Sequence, residues 1–323
     1  MRYRVRRLFC LGLLGAACAH SAVQSNGFPE WAYPSCIRAA AGTPIERAVP
    51  LSVPASQVHF TAADIANSSV APDWFPREHS SLPPALAAAH SDKFACAYCH
   101  LPDGSGRPEN AKLAGLSRSY IFAQVRALHV GERQPGKSGW PPTVLMQDAI
   151  ADMSDTQILE AAEYFSHQKN RSFVRVVERE FAPAHKAACG VYVSDTGRLA
   201  PLKQTIVELP TDTSRFEARD PHTEYIAYVP KGSIERGRRL ANTGDGGRTQ
   251  PCAACHGPDL TSGPDLEGPP LAGRFATYLF RQLFGFQSGR RAGDIAQPMR
   301  AVVSHLTQAD MIDLAAYAAS LKP

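Results

Sequence analysis

The 323-residue chain has no acidic residue before Glu30 and, beyond its first twenty positions, no apolar stretch long enough to cross a bilayer. Nor does it carry a basic run outside its start. Four of its 34 basic residues, Arg2, Arg4, Arg6 and Arg7, stand in the first seven positions, and the other 30 balance the 30 acidic ones. A neutral remainder of this kind lacks the electrostatic footprint of a nucleic-acid binder. Aromatic residues make up only 8% and charged residues 20%, against 44% hydrophobic. That excludes a disordered, collagen-like or multi-span membrane protein and fits two or three small globular domains. No strong paired-carboxylate, nucleophile–base or phosphate-loop motif stands out.

What is there begins with an export pattern. Residues 1–19 read as a signal peptide: the four arginines, the apolar run Leu8 to Ala17, then Ala17 and Ala19 as the small residues before a cut, so that the mature chain starts at His20. A buried N-terminal helix is the competing reading. Arg6-Arg7-Leu8-Phe9 faintly matches a twin-arginine signal, and Leu14 to Cys18 loosely matches the site where bacterial lipoproteins are cut and lipidated, which would make Cys18 a lipid anchor. A soluble periplasmic protein is the default expectation.

Cleavage after Ala19 removes Cys10 and Cys18 and leaves six cysteines. Four of them form two identical frames, Cys96-Ala97-Tyr98-Cys99-His100 and Cys252-Ala253-Ala254-Cys255-His256. Two thiols three residues apart on one helical turn can each add to a vinyl group of haem, and the following histidine then offers its imidazole to the iron, so Cys-x-x-Cys-His is the signature of c-type haem attachment. A zinc site would draw four ligands from paired knuckles, and a redox dithiol would sit in a strand-to-helix context. Here polar, Gly-rich sequence follows each frame, and each frame has its own histidine. The remaining pair, Cys36 and Cys189, reads either as a disulfide, natural in an oxidising compartment, or as two buried thiols.

The frames belong to an internal repeat. Leu113-Ala114-Gly115 recurs as Leu271-Ala272-Gly273, Tyr120 and Gln124 as Tyr278 and Gln282, Gly131 and Arg133 as Gly289 and Arg291. Ser154 and Thr307 read as helix N-caps, opening closing helices over Ile158 to His167 and Met311 to Leu321. The repeat also sorts the methionines. Met146 and Met299 precede Tyr164 and Tyr317 by the same spacing, so both are candidates for a soft thioether ligand opposite histidine, with core packing as the alternative. Met153 aligns with Leu306 and Met311 with Ile158, which assigns these two to packing.

Together these residues resemble the tandem two-haem class I cytochromes c, over about residues 86–168 and 230–322. The resemblance implies a mainly α protein of two class I cytochrome c lobes, each holding one covalently attached haem c. It would have a signal peptide (1–19), an irregular N-terminal arm (20–85), cytochrome c domain 1 (86–168), a small β-rich insertion (169–229) and cytochrome c domain 2 (230–323). The expected strands lie near Phe173 to Val177, Thr205 to Leu209 and Glu224 to Val229. Haem attachment falls to Cys96, Cys99, Cys252 and Cys255, and iron ligation to His100, Met146, His256 and Met299.

One departure concerns the proline carbonyl that in this family often orients the proximal histidine: the second module has Pro270 in that place and the first has Lys112. Arg133, Arg290 and Arg291 read either as partners of haem propionates or as solvated surface charges. Single histidines such as His129, His167 and His305 read as surface or core residues. The implied function is single-electron transfer between a periplasmic dehydrogenase or membrane respiratory complex and a downstream acceptor or oxidase, with no nucleic acid partner. The alternative is an enzyme, a two-haem cytochrome c peroxidase, which needs one iron with an open face.

Overall fold

The computed structural model describes residues 27–35, 50–89, 93–134, 136–263, 266 and 268–323. The leader, Cys10, Cys18 and Cys36 lie outside the described residues, and among those described no helix is long and apolar enough to cross a membrane.

The arm holds only short elements: strands β1 (Pro50–Leu51) and β2 (Phe60–Thr61), paired antiparallel, and helices α1 (Ala62–Ala66) and α2 (Pro84–Ala87). Thr61 and Asp64 close α1 with a reciprocal capping box. The arm is tied to more than one body. Trp31 packs on Phe280, the Tyr33 ring stands edge-on to Trp140, and the Trp74 indole donates to the Ala218 carbonyl at 2.8 Å.

The first lobe comprises α3 (Cys96–His100), α4 (Arg118–His129), α5 (Pro141–Ile150) and α6 (Asp155–Ser166). Ser154 and Gln157 form the expected capping box on α6. Among the described residues no long helix precedes α3. Instead Ala71 and Leu86 of the arm join Ile121, Ala162 and Phe165 in the lobe core.

The insertion is larger than the three expected strands. β3 (Val174–Glu178) runs parallel to β7 (Tyr225–Val229), and β6 (Val207–Pro210) pairs antiparallel with the other edge of β7. The period-2 pattern of β7 buries Tyr225, Ala227 and Val229, and the last two join the core of the second lobe together with Val174 and Val176. A long hairpin, β4 (Phe181–Ala187) and β5 (Tyr192–Pro201), escaped the sequence reading because β5 is mostly exposed and lacks the apolar alternation that marks a strand. Cys189 lies at its turn and is disulfide-bonded. Helix α7 (Thr213–Glu217) precedes β7.

The second lobe contains α8 (Ser233–Gly247), α9 (Ala253–His256), α10 (Ala276–Gln287), α11 (Gln297–Val303) and α12 (Gln308–Ser320). Every residue of α12 from Met311 to Ala319 is buried, so this helix is the hub of the larger core. It crosses α8 so closely that a Cβ at Gly237 would collide with the Asp313 carbonyl. Beside that crossing the Arg236 guanidinium clasps the Asp313 carboxylate at 2.7 and 2.9 Å. The insertion docks here too: the buried Glu208 of β6 accepts from the Ala276 amide at 2.9 Å and the Thr277 amide at 3.1 Å, capping α10.

Lys112 joins the lobes from the other side. It is 3% exposed, and its ammonium donates to the carbonyls of Arg171 and Gly273. Burial, reinforced by the nearby Arg274, pushes the amine down to about 7 from the usual 10.5. Between those values the unfolded chain holds a proton that the folded chain does not, so this group makes stability rise with pH across that window. Replacement Lys112→Met keeps the volume and removes the titration. Its denaturation midpoint is expected to climb less than the parent's between pH ~7 and ~10, and equal slopes in the two proteins would refute the assignment.

Candidate haem sites

The two Cys-x-x-Cys-His frames fold alike. α3 and α9 are each about one turn long and end at a residue with positive φ, Leu101 (62°) and Gly257 (83°). That reversal leaves His100 and His256 at the ends of their turns, 8% and 5% exposed. The His100 Nδ1 pairs with the Ala111 carbonyl at 2.8 Å, and the His256 Nδ1 with the Pro269 carbonyl at 2.7 Å. A carbonyl can only accept, so Nδ1 carries the proton in both rings and Nε2 keeps its lone pair. Burial holds both imidazoles below the usual histidine range, in the neutral form a metal ligand needs.

This corrects the position inferred from the sequence. The acceptor in the second lobe is Pro269, one residue before Pro270, and its counterpart is Ala111, one before Lys112. The bond is made by a backbone oxygen, so replacing proline costs nothing in hydrogen bonding.

In the first lobe, Cys96, Cys99, His100 and Met146 line one cavity of about 180 Å³. Leu116, Ile121 and Phe165 supply apolar wall, and Met153 lines it as well. In the second lobe, Cys252 and half-buried Met299 both pack against the core built around α12. Met311 is fully buried there, as expected of a packing residue. Burial pushes the Cys96 and Cys252 thiols up to about 11, which disfavours free thiolates at both frames. Among the described residues no group of three or more His, Cys, Asp or Glu side chains is placed to hold a metal ion, so the frames are not brought together as zinc knuckles would be.

The lining of the first cavity also has polar members, and these come from both lobes. Gln124 on α4 and Gln282 on α10, with Arg133 and Arg291 from the loops that follow, form a closed set of bonds. Gln124 Oε1 accepts from Arg133 at 3.1 Å and from Arg291 at 2.5 Å; Gln282 Oε1 accepts from Arg291 at 3.2 Å and from Arg133 at 2.9 Å. The loop backbones pair as well, in a bridge between Arg133 and Arg291. The repeated Tyr-x-x-x-Gln and Gly-x-Arg signals thus mark the seam between the lobes. Arg291 is 7% exposed and Arg133 half-buried, so the solvated-surface reading fails for both.

Three cavity residues had no signal in the sequence. Tyr33 of the arm, Trp140 and Arg281 line the same cavity, and the buried Tyr33 hydroxyl has no hydrogen-bond partner among the described residues. Burial pushes that phenol up to about 12, against the lowering effect of Arg281 and Arg290. An apolar cavity whose lining includes two thiols, a neutral imidazole, the thioethers of Met146 and Met153 and three guanidinium groups fits a planar, apolar macrocycle carrying carboxylates.

Fold and site together describe a class I cytochrome c arrangement repeated twice. A family model described as "Cytochrome c" matches residues 234–322. Cytochrome c-554(548) of Halomonas halodenitrificans is 38% identical over 85 residues, 26% of this chain and 96% of that protein. The chain belongs to the cytochrome c family. Over both lobes it is 25% identical to the "Thiosulfate dehydrogenase electron acceptor" of Thiomonas intermedia across 232 residues, 71% of this chain and 79% of that one. It is 24% identical to cytochrome c4 of Pseudomonas aeruginosa across 234 residues, 72% and 86% of the two chains. It is a dihaem class I cytochrome c with covalently bound haem c, an electron-transfer protein rather than an enzyme.

The shared acceptors predict non-additive behaviour at the seam. Gln124→Leu and Gln282→Leu should each cost about 1–3 kcal/mol, since each leaves buried guanidinium donors unpaired. In a denaturant-unfolding double-mutant cycle the pair should show a coupling of about 0.5 kcal/mol or more, and strict additivity would show that the four side chains do not act as one unit.

Proposed function

We propose that this chain is an exported, periplasmic one-electron carrier. In it Cys96 and Cys99 would hold the first haem and Cys252 and Cys255 the second, with His100 and Met146 as the residues that would ligate iron in the first lobe and His256 and Met299 in the second. The observation that carries this reading is the first cavity, whose lining gathers both thiols, an imidazole with Nδ1 already engaged, and the Met146 thioether. When bound, haem iron supplies a reversible one-electron couple. The protein's own residues do the rest. The Ala111 and Pro269 carbonyls fix the two imidazoles, the apolar wall of the first cavity excludes water, and His100 with Met146, and His256 with Met299, would serve as iron ligands, the ligation of an electron carrier.

A dehydrogenase as donor is supported by the relative from Thiomonas intermedia, whose name describes an electron acceptor of thiosulfate dehydrogenase. A membrane respiratory complex or oxidase is the corresponding acceptor. The arginine-rich start followed by an apolar run supports export by a cleaved leader.

Visible spectra of the oxidised and reduced holoprotein test the ligand assignment. Two low-spin haems per chain are expected, each with the weak sulfur-to-iron band near the red edge. Met146→Ala should remove one band and Met299→Ala the other, with a high-spin component appearing each time. A high-spin band in the unsubstituted protein together with hydrogen peroxide turnover would overturn the reading in favour of a peroxidase.

A further inference from the structure

The two attachment loops match in sequence and differ in exposure. Pro102-Asp103 in the first corresponds to Pro258-Asp259 in the second, and Tyr98 to Ala254, counting from the frame histidines. In the first lobe Tyr98, Leu101, Pro102 and the run 104–108 are buried; in the second, Ala254, Cys255, Pro258 and Asp259 are exposed.

The cover over the first loop comes from this chain's own additions to the lobes. The Tyr98 hydroxyl donates to the Ile65 carbonyl of α1 at 3.0 Å. From the insertion, the Arg219 guanidinium stacks 3.5 Å above the Tyr98 ring and donates to the Tyr98 carbonyl at 2.8 Å. Arg107, farther along the loop, lies 3.9 Å from the centre of the Phe216 ring of α7. The Trp74 bond to Ala218 ties arm and insertion together over the same side. Two cation–aromatic contacts and three hydrogen bonds make this a packed layer rather than a loose flap.

Electron tunnelling weakens steeply with the thickness of protein between two centres, so a packed layer over one attachment edge closes that edge to exchange. We infer that the chain exchanges electrons with its protein partner at the exposed loop 254–259 of the second lobe, while the first haem is an internal station reached through the seam between the lobes. This rests on the electron-carrier reading above. One electron crosses at this loop, and the partner, a one-electron redox protein, is reduced or oxidised by that same electron. The loop offers two small apolar residues and a proline beside a single carboxylate, Asp259. That suits a brief contact with an apolar rim around a partner's own exposed cofactor edge, at the small end of interface sizes.

Stopped-flow oxidation of the reduced holoprotein by ferricyanide, which takes one electron to become ferrocyanide, tests the assignment. At ionic strength near ~0.1 M the screening length is about 10 Å, so an added charge acts only on encounters close to it. Ala254→Lys on the exposed loop should raise the second-order rate several-fold, an effect that fades in molar salt. Ala66→Lys, on an exposed position of α1 over the covered loop, should leave the rate unchanged. Asp259→Asn, which removes one negative charge from the exposed loop and so shifts its charge in the same direction, should reproduce the rise and guards against a maturation defect at the frame itself. Equal responses to Ala254→Lys and Ala66→Lys, or a response to Ala66→Lys alone, would overturn the assignment and leave the carrier reading intact. A two-haem parent protein that cannot be reversibly reduced and reoxidised would overturn both.

Discussion

The seam between the lobes depends on two guanidinium groups, Arg291 buried and Arg133 half-buried, that share their acceptors. Arg133 and Arg291 are held by the same two amide oxygens, one from each lobe, so neither lobe can satisfy its own arginine alone. Drawing a guanidinium out of water is costly unless its donors are hydrogen-bonded, and these amide oxygens supply that bonding. The lobes are therefore locked in the one relative placement in which both acceptors are shared. That placement puts residues of the second lobe, among them Arg281 and Gln282, into the wall of the first lobe's cavity.

The same seam links the two histidine loops. The Arg274 guanidinium of the second lobe donates to the Pro270 carbonyl and to the Lys112 carbonyl, both at 2.5 Å. These carbonyls belong to the residues that follow Pro269 and Ala111, the acceptors of the two imidazoles. One side chain thus bridges the two backbone segments that orient the two rings. A shift of either segment is felt at the other through a rigid, 3%-exposed group.

Around this symmetric centre the rest of the chain is asymmetric. The arm fills out the first lobe's core with Ala71 and Leu86, sets Tyr33 and Trp31 against the second lobe, and meets the insertion at Ala218. The insertion caps α10 through Glu208 and covers the first attachment loop through Arg219. Two lobes that match in local chemistry come to differ in exposure because, among the described residues, segments outside the repeat pack on the first attachment loop and leave the second exposed.

The local chemistry was legible in the sequence. Cys-x-x-Cys-His needs only the spacing of one helical turn, Ser154 and Thr307 cap their helices through contacts three residues away, and Gly115 and Gly273 mark equivalent positive-φ turns at 79° and 65°. Strands β3, β6 and β7 showed because their apolar side chains alternate or cluster, whereas β5 did not because its residues face water. The repeat likewise exposed Gln124, Gln282, Arg133 and Arg291 as matched positions. What they bond to, which carbonyl holds each imidazole, the place of Tyr33 and Arg281 in the cavity wall and the burial of Tyr98 under Arg219 were decided by the tertiary structure alone. These contacts join residues far apart in the chain, and neither helical nor strand periodicity carries information about which distant surface a side chain will meet.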